Sequence, residues 1–333
     1  MKNKLLMSTA IASIALAGSA IAETKVHGNL EQTYRATSQT GNKSAAGFGA
    51  EYNIGLSSSK ELDNGLKASY SFQLEDGATD AHNLTVGTDA VSITIGRDTG
   101  KNLSGSAIPH VGDQAGTIVG TTGATLANQG FSSGTGKDVG MAHNYDHISI
   151  DFKVAGGTFT ARYAPGSDNG TDTNEANDNG GTITEILYSG NLGVEGLNVL
   201  IGQGDEAADT LNHKDGQFRK AGVAYNFGQF AVGVERQEVE SINTAANQID
   251  NTSDKASVVF AASDNVSLGL QYVTTEKKTG GTKAAEDEKI IMAEIGYNFG
   301  GLGIQLQYAD IENTGNAANQ DEEAFQIRTI QKF

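Results

Sequence analysis

The side chains best suited to chemistry in this chain are six histidines and several loose clusters of acids. His143 and His147 stand four apart, which on a strand sets both imidazoles on one face, yet no pair of acids lies beside them to complete a zinc shell. His27, His82, His110 and His213 are scattered. Asp168, Asp172, Glu175 and Asp178 could offer oxygens to Ca²⁺, but they lack the Asp-x-Asp-x-Asp-Gly spacing and closing Glu of a binding loop. They read as a solvated acidic loop. No phosphate-loop sequence is present, and a chain without cysteine forms neither disulfides nor thiolate metal sites. A formal charge of −17 argues against nucleic acid as a partner, because binding phosphate needs clustered Lys and Arg. The sequence implies no metal and no cofactor; what its charged side chains do depends on how they are arrayed along the elements that carry them.

Those elements are strands. After residue 22 apolar residues recur at every second position, the period of a ribbon with one oily and one wet face. Phe48, Ala50, Tyr52, Ile54 and Leu56 alternate with Gly49, Glu51, Asn53, Gly55 and Ser57. Leu66, Ala68, Tyr70, Phe72 and Leu74 alternate with Lys67, Ser69, Ser71, Gln73 and Glu75. Sixteen such segments begin near residues 25, 46, 65, 82, 90, 147, 157, 181, 196, 216, 229, 253, 265, 287, 302 and 322. Tight turns such as Asp63-Asn64-Gly65 and Ser263-Asp264-Asn265 alternate with long polar links, of which 98–146 is far the longest; only the link near 76–81 is brief.

A mean hydropathy of −0.33 excludes a helical membrane protein but not a membrane barrel, whose apolar residues are interleaved with polar ones. A tilted spanning strand takes roughly 9 to 11 residues, so sixteen use about 160 and leave the rest for the links. Lys2 and Lys4, the apolar stretch Leu5 to Ala17 and the small residues Ala20-Ile21-Ala22 make the pattern of a secretory signal peptide cleaved before Glu23. The expected organisation is a leader, 1–22, and one barrel domain, 23–333. The leader contains two lysines and no acid, so its removal leaves 21 basic side chains against 40 acidic ones, or −19.

Alternation also sorts the charges. The wet parity carries Arg35, Lys67, Lys153, Arg162, Arg328 and Lys332, and acids including Glu31, Glu51, Glu75, Asp151, Glu185, Glu235 and Glu294. Tyrosines such as Tyr34, Tyr52, Tyr225, Tyr297 and Tyr308 fall mostly at strand ends on the apolar parity, as interfacial girdles require.

The final strand, Ala324 to Phe333, ends in a terminal Phe with Phe325, Ile327 and Phe333 on one parity. Together with Val26-His27-Gly28-Asn29-Leu30, Leu62-Asp63-Asn64-Gly65-Leu66, Ile93-Thr94-Ile95-Gly96-Arg97 and the repeated Tyr-Asn-Phe-Gly at 225–228 and 297–300, it resembles the general diffusion porins of Gram-negative outer membranes, over essentially the whole mature chain. The resemblance implies an all-β, 16-stranded antiparallel transmembrane β-barrel with short periplasmic turns and long extracellular loops. It implies a homotrimer in outer-membrane lipid and lipopolysaccharide, with Phe333 read as an assembly signal by the barrel-insertion machinery. The function implied is passive passage of small hydrophilic solutes and ions, without catalysis. Rival readings are a substrate-specific porin and, further off, a barrel enzyme or a structural or adhesion barrel.

Sixteen strands enclose a lumen too wide for side chains to fill, so something must narrow it. The link 98–146 is expected to fold inward for that purpose; the other arrangement is an extracellular cap. The resemblance further implies a row of wall arginines, here Arg35, Arg97, Arg162 and Arg328 with Lys67 on the same parity as Arg35, facing Asp98 and Asp113 of that loop. Strict alternation from Ile93 and Ile95 aims Arg97 at lipid, at a cost of roughly 2 to 4 kcal/mol near the midplane. A bulge at Gly96 or a place near the rim relieves it. The loop reads Ile108-Pro109-His110-Val111-Gly112-Asp113 where well-known members carry a Pro-Glu-Phe-Gly-Gly-type segment, and its acids are few. The expected outcome is a weak preference for small cations, focused by a net negative lumen.

Overall fold

The computed structural model describes residues 24–41, 44–75, 78–97, 103, 106–111, 146–165, 182–207, 215–240, 246 and 248–333. The leader, Asp98, Asp113, His143, His213 and the acidic loop from Asp168 to Asp178 lie outside the described residues.

One antiparallel sheet contains every strand: β1 (Lys25–Gln39), β2 (Ala45–Glu61), β3 (Lys67–Glu75), β4 (Ala78–Gly87), β5 (Val91–Arg97), β6 (His147–Val154), β7 (Gly157–Ala164), β8 (Ile183–Gly190), β9 (Leu197–Glu206), β10 (Gly216–Phe227), β11 (Phe230–Glu240), β12 (Ile249–Ala261), β13 (Val266–Thr279), β14 (Glu288–Asn298), β15 (Leu302–Glu312) and β16 (Glu322–Lys332). Each strand pairs with the next, and β1 pairs with both β2 and β16, so the sheet closes into a 16-stranded barrel. Closure leaves no unpaired edge, the condition for a sheet to sit in hydrocarbon. A two-residue ribbon, Thr282–Lys283, folds back on the end of β13 within the following link.

The strands begin close to where alternation places them, with two corrections. β4 starts at Ala78 rather than near 82, and β12 at Ile249 rather than near 253. A register shift between Gln73 and Leu74 and the polar run Asp250-Asn251-Thr252 interrupt the periodicity there.

Burial is inverted relative to a water-soluble domain. Val234 is 56 % exposed and Ile201 51 %, while Gln237 is 0 % and Glu185 1 % exposed. The apolar parity faces outward and the polar parity inward, as expected when lipid covers one face and a lumen the other. At the short-turn end the outward aromatics form a chain, with ring centroids 6.4 Å apart for Tyr225 and Phe227, 5.9 Å for Phe227 and Phe230, and 4.8 Å for Phe230 and Phe260. Toward the opposite end the outer face turns polar. There Arg236 donates to Glu238 at 3.0 Å and to Asp254 at 3.3 Å, so its charge is compensated by its own neighbours.

Candidate functional site

Leu103 and Ser106 to Val111, near the start of the longest link, lie against the inner wall. Ser106 Oγ and the Ala107 amide donate to the same oxygen of Glu235 on β11, at 3.0 and 2.9 Å. Asn198 on β9 donates to the Ala107 carbonyl at 2.9 Å, and Ser257 on β12 to the Pro109 carbonyl at 2.7 Å. The Val111 amide donates to Glu294 on β14 at 3.2 Å, and Gln305 on β15 donates to the Val111 carbonyl at 2.5 Å. Six consecutive residues thus traverse the lumen face from β9 to β15, with backbone groups of Ala107, Pro109 and Val111 paired to wall side chains.

The wall is shaped for this contact. A Cβ added at Gly222 would lie 2.7 Å from the Ala107 Cβ, and one at Gly233 would lie 2.8 Å from Pro109 Cδ. Gly202 and Gly269 meet Leu103 and Val111 in the same way, at 2.9 and 2.7 Å. Separations this short leave no room for a side chain, so glycine at these inward positions lets the segment lie directly on the sheet. An apolar patch holds its start: Leu103 and Ala107 pack with Leu187, Leu200, Phe218 and Val239, all of which face inward. A wall meeting water would not carry such residues on its lumen parity; here the loop covers them.

Electrostatics reinforce the seat. Glu235 stands between Lys220 Nζ at 3.5 Å and Lys255 Nζ at 3.4 Å, and all three side chains are buried. One carboxylate between two ammonium groups, completed by two donors from the loop, is the arrangement in which buried charges become tolerable. Glu294 is likewise enclosed by Gln271 at 3.0 Å and Gln307 at 2.7 Å as well as by the Val111 amide. At the long-link rim, hydrogen bonds to Glu276 and Asp287 hold the Lys283 ammonium above its ordinary range.

The arginines and lysine singled out from sequence stand on five different strands. Arg162 on β7 donates to Glu185 on β8 at 2.8 Å, and both are buried. Arg328 on β16 pairs across the closing seam with Glu31. Arg35 is exposed, two residues along β1 from Thr33, the register partner of Arg328. Arg97 is the last residue of β5, beside Gly96 at a φ of 141° and opposite His82 of β4. Lys67 sits at the short-turn end on Asp89, at 2.6 Å and 56 % exposed, away from the loop seat; strand parity gave its face but not its height. Sequence reading passed over Lys220 and Lys255. Both lie on the inner parity of their strands, β10 and β12, and on β10 that parity also carries the apolar Phe218. Glu235 and Glu294 were assigned to the lumen, but nothing in their spacing signalled a loop contact.

A family model described as Gram-negative porin matches residues 8–262. No curated protein sequence matches the chain. Among solved structures, outer-membrane expressed OmpT of Vibrio cholerae is similar with a TM-score of 0.65 and 14 % identity, over 96 % of this chain and 99 % of that one. The trimer form of in-vitro folded OmpT from the same organism gives a TM-score of 0.59 at 15 % identity, over 94 % and 99 %. A triple mutant of the Rhodopseudomonas blastica porin gives 0.58 at 12 %, over 93 % and 100 %. At these identities the shared property is the fold.

Proposed function

The chain belongs to the Gram-negative porin family, and from that premise we propose that it is a passive diffusion channel for small hydrophilic solutes and ions in the outer membrane, with a weak preference for cations. The family and the fold point to a channel rather than an enzyme. The observation that carries the proposal is the segment Ser106–Val111 lying on the lumen wall of a closed barrel whose outer face is apolar. A barrel of this size would otherwise leave an open aqueous bore. The segment takes up one side of it, and solutes pass between it and the far wall.

The cation preference rests on the balance of charge. Arg162 and Arg328 are each paired with an acid of the wall, so neither contributes an uncompensated positive field. The processed chain carries 21 basic against 40 acidic side chains, which focuses cations into the bore. The working unit is a homotrimer embedded in lipid and lipopolysaccharide, reached after removal of 1–22 and recognition of Phe333 by the insertion machinery; the existence of a trimer form for a similar structure supports this.

Planar-bilayer recording tests the proposal. Stable ohmic openings in groups of three, with a reversal potential in asymmetric KCl displaced toward K⁺, are expected. Absence of conductance overturns the channel, and displacement toward Cl⁻ overturns the selectivity.

A further inference from the structure

Below the loop seat, at the short-turn end of β13 to β16, the inner wall is hollowed. Gly303 faces inward there, and a Cβ at this position would meet nothing nearer than the Ile330 carbonyl at 3.8 Å. The hollow has a volume of about 380 Å³ and is lined by Ser267, Asn298, Gly303, Gln305, Arg328 and Lys332, with Val111 of the loop at its roof and Asp264 at its lip. That volume lies within the range of small-molecule sites, roughly 300 to 1,000 Å³.

Its polar groups are incompletely satisfied. Arg328 is 3 % exposed and Gln305 4 % exposed. Arg328 gives one guanidinium nitrogen to Glu31, but its Nε and Nη1 have no hydrogen-bond partner among the described residues. Gln305 spends its Nε2 on the Val111 carbonyl at 2.5 Å and on Glu294 at 3.3 Å, while its Oε1 is left without a donor. Orphaned buried donors and an orphaned acceptor around one cavity call for a ligand carrying both complements.

We infer that this hollow is a solute-binding subsite for a small hydroxylated carboxylate. The carboxylate meets the free edge of the Arg328 guanidinium, with the Lys332 ammonium adding positive charge at the mouth. The hydroxyl groups meet Gln305 Oε1, Ser267 and Asn298. Guanidinium presents its donors as a planar fork suited to a carboxylate, and neutral amide and hydroxyl side chains exchange hydrogen bonds with sugar-type hydroxyls without charge. Asp264 and Glu31 keep the site from being strongly positive, which favours a single carboxylate over a multiply charged anion. The inference rests on the channel reading, adding to it a place where one class of solute pauses.

The test uses the full processed protein in planar bilayers. Open steps in KCl alone are recorded first, and their absence refutes the channel reading itself. D-gluconate, D-glucose or inorganic phosphate is then added at equal concentration on the short-turn side. Gluconate is expected to cause transient interruptions about tenfold longer than glucose, the effect of one ionic hydrogen bond. In Gly303→Val, whose Cβ has space and whose methyl groups take up part of the hollow, interruptions by gluconate should vanish while the open conductance persists. Lys332→Gln should shorten them and serves if the valine variant fails to insert. Equal interruptions by gluconate and glucose, stronger interruptions by phosphate, or unchanged gluconate interruptions in Gly303→Val with its channel intact would each overturn the assignment.

Discussion

Glu235→Gln isolates what holds the loop. In the native protein two donors of the loop, Ser106 Oγ and the Ala107 amide, share one carboxylate oxygen at 3.0 and 2.9 Å. Hydrogen bonds to a charged acceptor contribute about 1.5 to 3 kcal/mol each. Glutamine keeps one acceptor oxygen and loses the charge, so roughly half of that anchoring, about 1.5 to 3 kcal/mol, disappears. At 1.4 kcal/mol per tenfold, the detached form of the segment becomes about 10- to 140-fold more populated. The barrel itself should stay folded, because only the side chain changes and the backbone of this residue keeps its pairing with Gly222 and Lys255. Lys220 and Lys255 then lose the acid between them and draw anions from the lumen instead. Single-channel recording with neutral polymers of graded size reads the result: larger mean conductance, noisier open level, larger polymers admitted and reversal potential moved toward Cl⁻. Glu235→Asp, which keeps the charge on a shorter stem, should fall between the two. A glutamine variant with native conductance, size limit and noise would refute the idea that this carboxylate positions the segment.

Gly233→Val places a side chain where Pro109 Cδ stands at 2.8 Å and the Ile108 Cα at 3.0 Å; overpacking of about 1 to 3 kcal/mol should lift the segment and raise conductance while the heat-resistant barrel band on gels is unchanged. Val234→Lys on the outward face, where the native side chain is 56 % exposed, should lower unfolding free energy in lipid vesicles by roughly 2 to 4 kcal/mol near the midplane, with conductance unaltered. Deleting Phe333 removes two backbone hydrogen bonds to Gly28, both 3.1 Å; pulse-chase analysis should show less barrel assembled in the membrane, and the channels that do form should conduct normally.

Strand number and closure were legible because a period of two is a direct imprint of lipid on one face and water on the other. Phe48 to Leu56 and Leu66 to Leu74 carry it without interruption. It failed at β4 and β12, where a register shift and a polar opening run break the rhythm. The candidate site was only half readable. Parity assigned Glu235, Glu294, Arg162 and Arg328 to the inner face, but parity carries no height, and Lys67 was therefore grouped with residues far from it. The seat was missed because its signal is an absence: Gly202, Gly222, Gly233 and Gly269 read as general crowding until the loop is seen lying on them. Leu187 and Leu200 did offer a clue, each being apolar between two apolar neighbours. Such residues mark the wall that something else covers.

The seam between β1 and β16 reaches to the final residue, with Phe333 and Gly28 exchanging amide and carbonyl bonds. The first strand therefore meets its second partner only when the last strand arrives, and until then the facing borders of both keep their amides and carbonyls unmated.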